Sequence, residues 1–295
     1  MSDITYRVRH RTAYRYTGRV DLSHGLAHLK PLESDSQSVL SYNLILLPEP
    51  GFVSERTDYY GNNRHYFEIQ QSHDSLESVS TFTVVKQHEK ELSNPLSGEA
   101  WDGERALCPI EDSKGFPVAE MVEPSVACPE NCEGLADFVA PSLVPGRDTL
   151  ELAADLMSRI YTELAYVPGA TTTTTPLEEV VRGKKGVCQD FSHLLIAALR
   201  QHQIPSRYVS GYLETVPPPG QEKLQGADAT HAWVEVWSKK TGWIGFDPTN
   251  NLIPTGQHIK IAHGRDYFDV QPVAGLFIGS GSQSLEVEVD VERIS

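Results

Sequence analysis

The sequence predicts an α+β protein: a β-sandwich first, then a core in which helices pack on an antiparallel sheet. Three observations carry this. Apolar and polar residues alternate in short runs up to about residue 92. From Asp148 the apolar residues shift to three- and four-residue spacing, the helical period. Strict alternation then returns at His231-Ala-Trp-Val-Glu-Val-Trp237, and a turn at Lys239-Lys-Thr-Gly242 leads to Trp243-Ile-Gly-Phe-Asp247, which is a hairpin.

Residues 1–92 hold several strand signals. Ile4, Tyr6, Val8 and His10 alternate with polar neighbours, as do Thr12, Tyr14 and Tyr16. Runs at 39–46, 64–69 and 78–85 follow, with a turn signal at Tyr59-Tyr-Gly-Asn-Asn63. Short strands separated by turns predict the sandwich. Residues 93–145 are broken by Pro95, Pro109, Pro117, Pro124, Pro129, Pro141 and Pro145 and carry scattered acids, so they predict an irregular acidic linker over the surface, with a short helix at 134–139.

Residues 146–275 form the predicted core. Leu150, Leu152, Ala153, Leu156, Ile160 and Leu164 mark a helix that Asp148 or Thr149 can cap. The run Thr171–Thr175 predicts a loop or edge strand, and 176–181 a short helix ended by Gly183 and Gly186. Phe191, Leu194, Leu195, Ala198 and Leu199 share one face of a second long helix over 188–203. A strand at 206–213 and a Pro/Gly-rich loop over 214–228 lead into the hairpin. In 276–295 a last strand is expected at 285–291, with one acidic face.

The chain has 295 residues, and Lys+Arg 25 against Asp+Glu 40 gives a formal charge of −15. Such a surface repels phosphate backbones and anionic lipid, which argues against nucleic acid and membrane as partners and leaves peptide or protein substrates, including cationic ones. No apolar run of about 18 residues occurs, and the first residues read as a strand rather than a signal core, so the expected compartment is the cytoplasm. Cys108, Cys128, Cys132 and Cys188 are then expected as thiols.

Three residues stand where chemistry would use them. Cys188 opens a helix after Gly186-Val187, and a thiol at a helix start is drawn toward thiolate by the dipole and the free amide protons. The Cys188 backbone N–H is also placed to stabilise an oxyanion. His231 begins the first hairpin strand, and the antiparallel return brings Asp247 within about two rungs of it, where a carboxylate would fix the imidazole tautomer. Each has a plainer reading: a buried structural thiol, a strand-end histidine, and a turn aspartate before Pro248. Together they are the set a thiol acyl-transfer site needs.

Four segments carry a resemblance: Gly186-Val-Cys-Gln-Asp-Phe191, Ile204-Pro-Ser-Arg-Tyr-Val-Ser-Gly-Tyr212, Asp228-Ala-Thr-His-Ala-Trp-Val-Glu-Val236 and Gly245-Phe-Asp-Pro-Thr-Asn250. They resemble the bacterial transglutaminase-like proteins, a cysteine-protease-type family. His263-Gly-Arg-Asp-Tyr267, Tyr6-Arg-Val-Arg-His-Arg-Thr-Ala-Tyr14 and Ser54-Glu-Arg-Thr-Asp-Tyr-Tyr-Gly-Asn62 extend the similarity over most of the chain, but not over 96–133. The resemblance implies a papain-like fold, with Cys188 as nucleophile, His231 as base and then acid, and Asp247 as orienting carboxylate. It also implies an aromatic oxyanion donor upstream of the cysteine, for which Tyr166 is the candidate, though a Tyr in Ala-Tyr-Val-Pro is as readily a packing residue.

The expected function is cysteine-dependent acyl transfer on peptide or protein amides through a thioester, with water slightly favoured over an amine as acceptor. The rival is a non-catalytic binding or assembly module that keeps the fold. Asp228 is a candidate contact for a cationic substrate, against a plain reading as a solvated loop acid. Asp190 serves the helix dipole or opposes thiol ionisation by proximity. His193, Trp233 and Trp237 read as packing residues. Cys128-Pro-Glu-Asn-Cys132 lacks the second ligand pair of a zinc site and reads better as an oxidisable thiol pair. No calcium, phosphate or zinc-protease motif is present, so neither cofactor nor metal is expected.

Overall fold

In the computed structural model the described residues are 3–87, 96, 98–103, 109–214, 228–254 and 256–294. The chain begins with β1 (Ile4–Ala27), a strand of 24 residues, followed by β2 (Gln37–Leu47), β3 (Phe52–Thr57), β4 (Asn63–Ile69) and β5 (His73–Lys86). A short helix α1 (Leu135–Val139) precedes α2 (Thr149–Glu163), β6 (Ala165–Tyr166), α3 (Leu177–Gly183), β7 (Lys185–Gly186) and α4 (Cys188–Arg200). Then come β8 (Ser206–Leu213), β9 (Thr230–Ser238), β10 (Gly242–Phe246), β11 (His258–Gly264), β12 (Val273–Gly279) and β13 (Gln283–Arg293).

The expected sandwich is not what forms. One seven-stranded antiparallel sheet curls about β1 instead. The first half of β1 pairs with β5 on one flank and β13 on the other. Its second half pairs with β4 and β12. The register shifts between Arg15 and Val20, and there the β12–β13 turn crosses so closely that a Cβ on Gly18 would lie 2.2 Å from the Ser280 carbonyl oxygen. A glycine at that bend lets one strand serve both halves. The curl encloses Ala27, Leu29, Leu46, Phe67, Ile69 and Leu76, while Tyr6, Val8, Phe82, Val84, Val289 and Val291 face the rest of the molecule. Chain after Val273, including a strand the alternation did not disclose, thus completes the leading sheet.

The described part of 93–145 is irregular, with the one short α-helix where the sequence placed it. It is not merely draped on the surface: Val118, Met121, Leu135 and Val139 are fully buried. Buried Arg200, at the end of α4, donates to the carbonyls of Met121, Glu123, Ser206 and Arg265 and so ties this segment to the core.

The core is a four-stranded antiparallel sheet in the order β10-β9-β8-β11, with α4 packed against β8 and β9 and α2 packed against α4, β9 and β10. Asp148 caps α2 by accepting from the Leu150 N–H at 2.9 Å. The two halves are joined through motif residues: the Asn62 side chain donates to the His263 carbonyl at 2.8 Å and accepts from its N–H at 2.9 Å.

Candidate active site

The geometry at the start of α4 is set by Asp190. Its Oδ2 accepts the Val187 N–H at 2.8 Å and the Thr171 hydroxyl at 2.6 Å. Burial raises the Asp190 pKa and those two hydrogen bonds oppose the rise. The carboxylate is therefore engaged with the turn before the helix, and a Cβ on Gly186 would sit 2.8 Å from it. Residues 171–175 form a loop. Cys188, the first residue of α4, lines an open cleft of about 280 Å³.

His231 and Asp247 come from the hairpin. Val234 of β9 pairs with Phe246 of β10, which sets position 247 opposite 233, two residues from His231. The His231 Nε2 lies 2.7 Å from Asp247 Oδ2, and the ring is also a hydrogen-bonding neighbour of the Cys188 thiol. Burial alone would push His231 down, but Asp247 and Cys188 together outweigh it and raise the imidazole to about 9. The three residues singled out in the sequence are thus brought together in one cluster.

Two members of this cluster were not foreseen. His258, on β11, places its Nε2 3.0 Å from the same Asp247 Oδ2, and Asn250 donates to that oxygen at 2.8 Å. Asp247 Oδ1 accepts the backbone N–H groups of Thr249 and Asn250 at 3.0 and 3.2 Å. Five hydrogen bonds on a fully buried carboxylate hold its pKa far below the usual range against burial. His231, Asp247 and His258 also offer one ligand atom each within 4.8 Å of one another, a spacing a metal ion accepts. Both Nε2 atoms, however, aim at one carboxylate oxygen rather than at a shared open point, which is hydrogen-bonding geometry.

Tyr166 is half exposed, its ring set edge-on to Phe191 with centroids 6.3 Å apart. The parallel pairing of β6 with β7 puts it beside Gly186, and its pKa is raised by burial and by the nearby Cys188. Asp228 is placed differently from both expectations. It is buried, its N–H donates to the Val289 carbonyl at 3.1 Å, and its Oδ2 accepts the Val291 N–H at 2.7 Å. Its carboxylate tethers β13 and does not line the cleft.

Among the described residues the cleft lining contains no Asp, Glu, Lys or Arg. One wall comes from the core: Val187, Cys188, Gln189, Tyr208 and Thr230–Ala232. The other comes from the curled sheet: His10, Thr12 and Tyr14 of β1 with Leu285 and Val287 of β13. Burial pushes His10 down to about 4, so this wall is uncharged at neutral pH. His193 is buried and accepts the Tyr267 N–H at 3.2 Å, and Trp233 is buried as well. Cys128 and Cys132 are free thiols, pushed up by burial to about 12 and about 11. Cys108 lies outside the described residues.

A cysteine thus heads a helix that packs on an antiparallel sheet bearing a His–Asp pair, the arrangement of a transglutaminase-like core. Residues 137–248 match the transglutaminase-like superfamily, and residues 6–85 match the bacterial transglutaminase-like N-terminal region. An uncharacterized protein of Mycobacterium tuberculosis is 38% identical over 97% of this chain and 92% of its own length, and one of Mycobacterium leprae is 30% identical over 98% and 99%. A protein-glutamine gamma-glutamyltransferase of Pseudomonas aeruginosa is 33% identical over 42% of this chain, which is 20% of that protein. A crystal structure from Cytophaga hutchinsonii, described as a "Putative Cysteine Protease", is similar in fold, with a TM-score of 0.75 at 21% identity, covering 100% of this chain and 92% of its own. The chain belongs to the transglutaminase-like family.

Proposed function

We propose that the protein is a cysteine-dependent acyl-transfer enzyme acting on amides of peptides or proteins. The observation that carries this reading is His231 held between the Cys188 thiol and the buried Asp247, with its pKa raised by both. In this reading Cys188 Sγ attacks the amide carbonyl, and the Cys188 backbone N–H stabilises the oxyanion. The C–N bond breaks as protonated His231 delivers a proton to the departing nitrogen. His231 then takes a proton from water or an amine, which attacks the thioester and frees the thiol. Asp247 keeps Nε2–H as the donor on its side of the ring, so Nδ1 faces the chemistry throughout. Among the described residues no feature of the cleft marks an amine site, and we favour water as acceptor.

The test is to incubate the protein with a glutamine-containing peptide, with and without a primary amine. Intact mass would be followed for an acyl adduct on Cys188, together with released ammonia and the ratio of hydrolysed to amine-coupled product. An adduct at Cys188 that resolves mainly to acid supports the reading. Resolution mainly to the amide product would make it a transferase. Product formed at an undiminished rate by the Cys188→Ala protein would overturn the assignment.

Tyr166 is proposed as a second oxyanion donor, on its placement beside Gly186 and Cys188. Tyr166→Phe is expected to lower kcat about tenfold with KM little changed, the effect of removing one donor used in the transition state. Unchanged kcat would leave Tyr166 a packing residue.

A further inference from the structure

Beside the cleft lies a fork between two strands. Asp228 forms an isolated antiparallel bridge with Val289, on the flank of β13 opposite β1. One residue past Asp228's neighbour, the chain leaves that flank and enters β9 at Thr230 to pair with β8. The strands diverge from there, and the cleft opens between them: Thr230, His231 and Ala232 on one side, Leu285 and Val287 on the other.

The two sides differ in free hydrogen-bonding capacity. Backbone groups of alternate residues in a strand face the same neighbour. The Val289 carbonyl and the Val291 N–H both point to Asp228, so the N–H and C=O of Val287 and Leu285 point the same way. The β1–β13 register runs from Tyr6 with Arg293 to Tyr16 with Gln283 without a shift, so this alternation is unbroken. Among the described residues nothing pairs with that flank at Leu285 or Val287, residues that are 55% and 46% exposed. An exposed strand edge is a template for another strand. Here it lies on the cleft that holds Cys188.

We propose that the acyl-donor segment binds as an added β-strand on the Leu285–Val287 edge of β13, in extended conformation and with uncharged side chains toward the cleft. This rests on the acyl-transfer reading for its catalytic meaning and deepens it by naming the substrate class. The added strand extends the line that Asp228 begins. Its residues opposite Leu285 and Val287 turn their side chains to the same face, over Cys188 and His231. Backbone pairing supplies affinity with little dependence on sequence, and a lining that among the described residues holds no Lys, Arg, Asp or Glu, with His231 kept for the reacting amide, selects apolar or neutral polar side chains over charged ones. Folded protein surfaces are excluded; termini, loops and unfolded segments qualify.

The experiment uses the full chain with Cys188→Ala, so that binding is read without turnover. The probe is a fluorescein-labelled heptapeptide, Thr-Val-Thr-Gln-Thr-Val-Thr, followed by anisotropy. Two versions are N-methylated on alternate residues, one set for each edge. One set is expected to weaken binding about tenfold and the other less than about twofold, since only one edge pairs. Adding Val287→Pro removes an N–H that faces away from β1 and is expected to weaken binding about five- to tenfold. Val287→Ala keeps that N–H and should stay within about threefold, with melting curves confirming that both variants fold. No saturable binding, or binding indifferent to both methylation sets and to Val287→Pro, would overturn the proposal. If the pattern holds but the wild-type protein forms no adduct at Cys188, the acyl-transfer reading fails and the strand-edge site stands. If small amides turn over while peptides show no edge pattern, only this inference fails.

Discussion

Asp247→Asn is expected to reduce acyl transfer by about a thousandfold or more and to destabilise the protein by about 3 kcal/mol. The carboxylate accepts from His231, His258 and Asn250 on one oxygen and from two backbone N–H groups on the other. An amide in its place presents one acceptor and two donors, so at least one buried imidazole loses its partner. His231 would lose the charge that holds it up and titrate below its value of about 9. The pH dependence of the stability difference has a definite sign. Asp247 titrates below its ordinary value in the folded protein, so its contribution is present above that ordinary value and disappears on acidification. His231 is raised from 6.5 to about 9, so its contribution is complete below 6.5 and is lost as the pH rises through 9. Chemical denaturation at pH 3, 6 and 10 should show the largest gap between wild type and Asp247→Asn at pH 6. A gap independent of pH would mean that charge at this position contributes nothing.

Cys188→Ala is expected to abolish acyl transfer, by at least about a thousandfold, while leaving the fold intact. The thiol is a cleft-lining group at the first turn of α4, and the helix start is set by Asp190, Val187 and Thr171 rather than by the sulfur. A second readout separates loss of the nucleophile from general damage. Cys188 helps to hold His231 up, so the His231 imidazole, followed by NMR, should titrate lower in the variant than in the wild type. An unchanged His231 titration would show that thiol and imidazole do not interact in solution.

Much of this site was legible in the sequence because its members sit at element boundaries. Cys188 follows a glycine and opens an amphipathic helix, His231 opens a strictly alternating strand, and Asp247 closes its hairpin partner at a proline turn. His258 was not legible: it enters from a separate strand whose alternation is interrupted by a register shift between Lys260 and Ala262. Asp228 misled because an acid in a Pro/Gly-rich loop carries the signature of solvent exposure, whereas its partner, Val291, is 63 positions away. The sandwich expectation failed for a related reason. Alternation reveals strands but not their neighbours, and nothing local says that β1 continues through Gly18 or that β12 and β13 return to it.

The return of β13 to β1 has a consequence for biosynthesis. Arg7 pairs with Glu292, 285 positions later, so the curled sheet closes only after the whole intervening core has been made. Cys188, His231 and Asp247 leave the ribosome before Leu285 and Val287 do. Val287 follows Asp247 by 40 positions (287 − 247), about 2–8 seconds of translation. During that interval the thiol and its imidazole can meet while the cleft's second wall still lacks its β13 part. Vectorial synthesis therefore completes the Cys188–His231–Asp247 cluster before the β13 edge that is proposed to hold a peptide against it. A chain interrupted before β13 would carry that cluster without that edge.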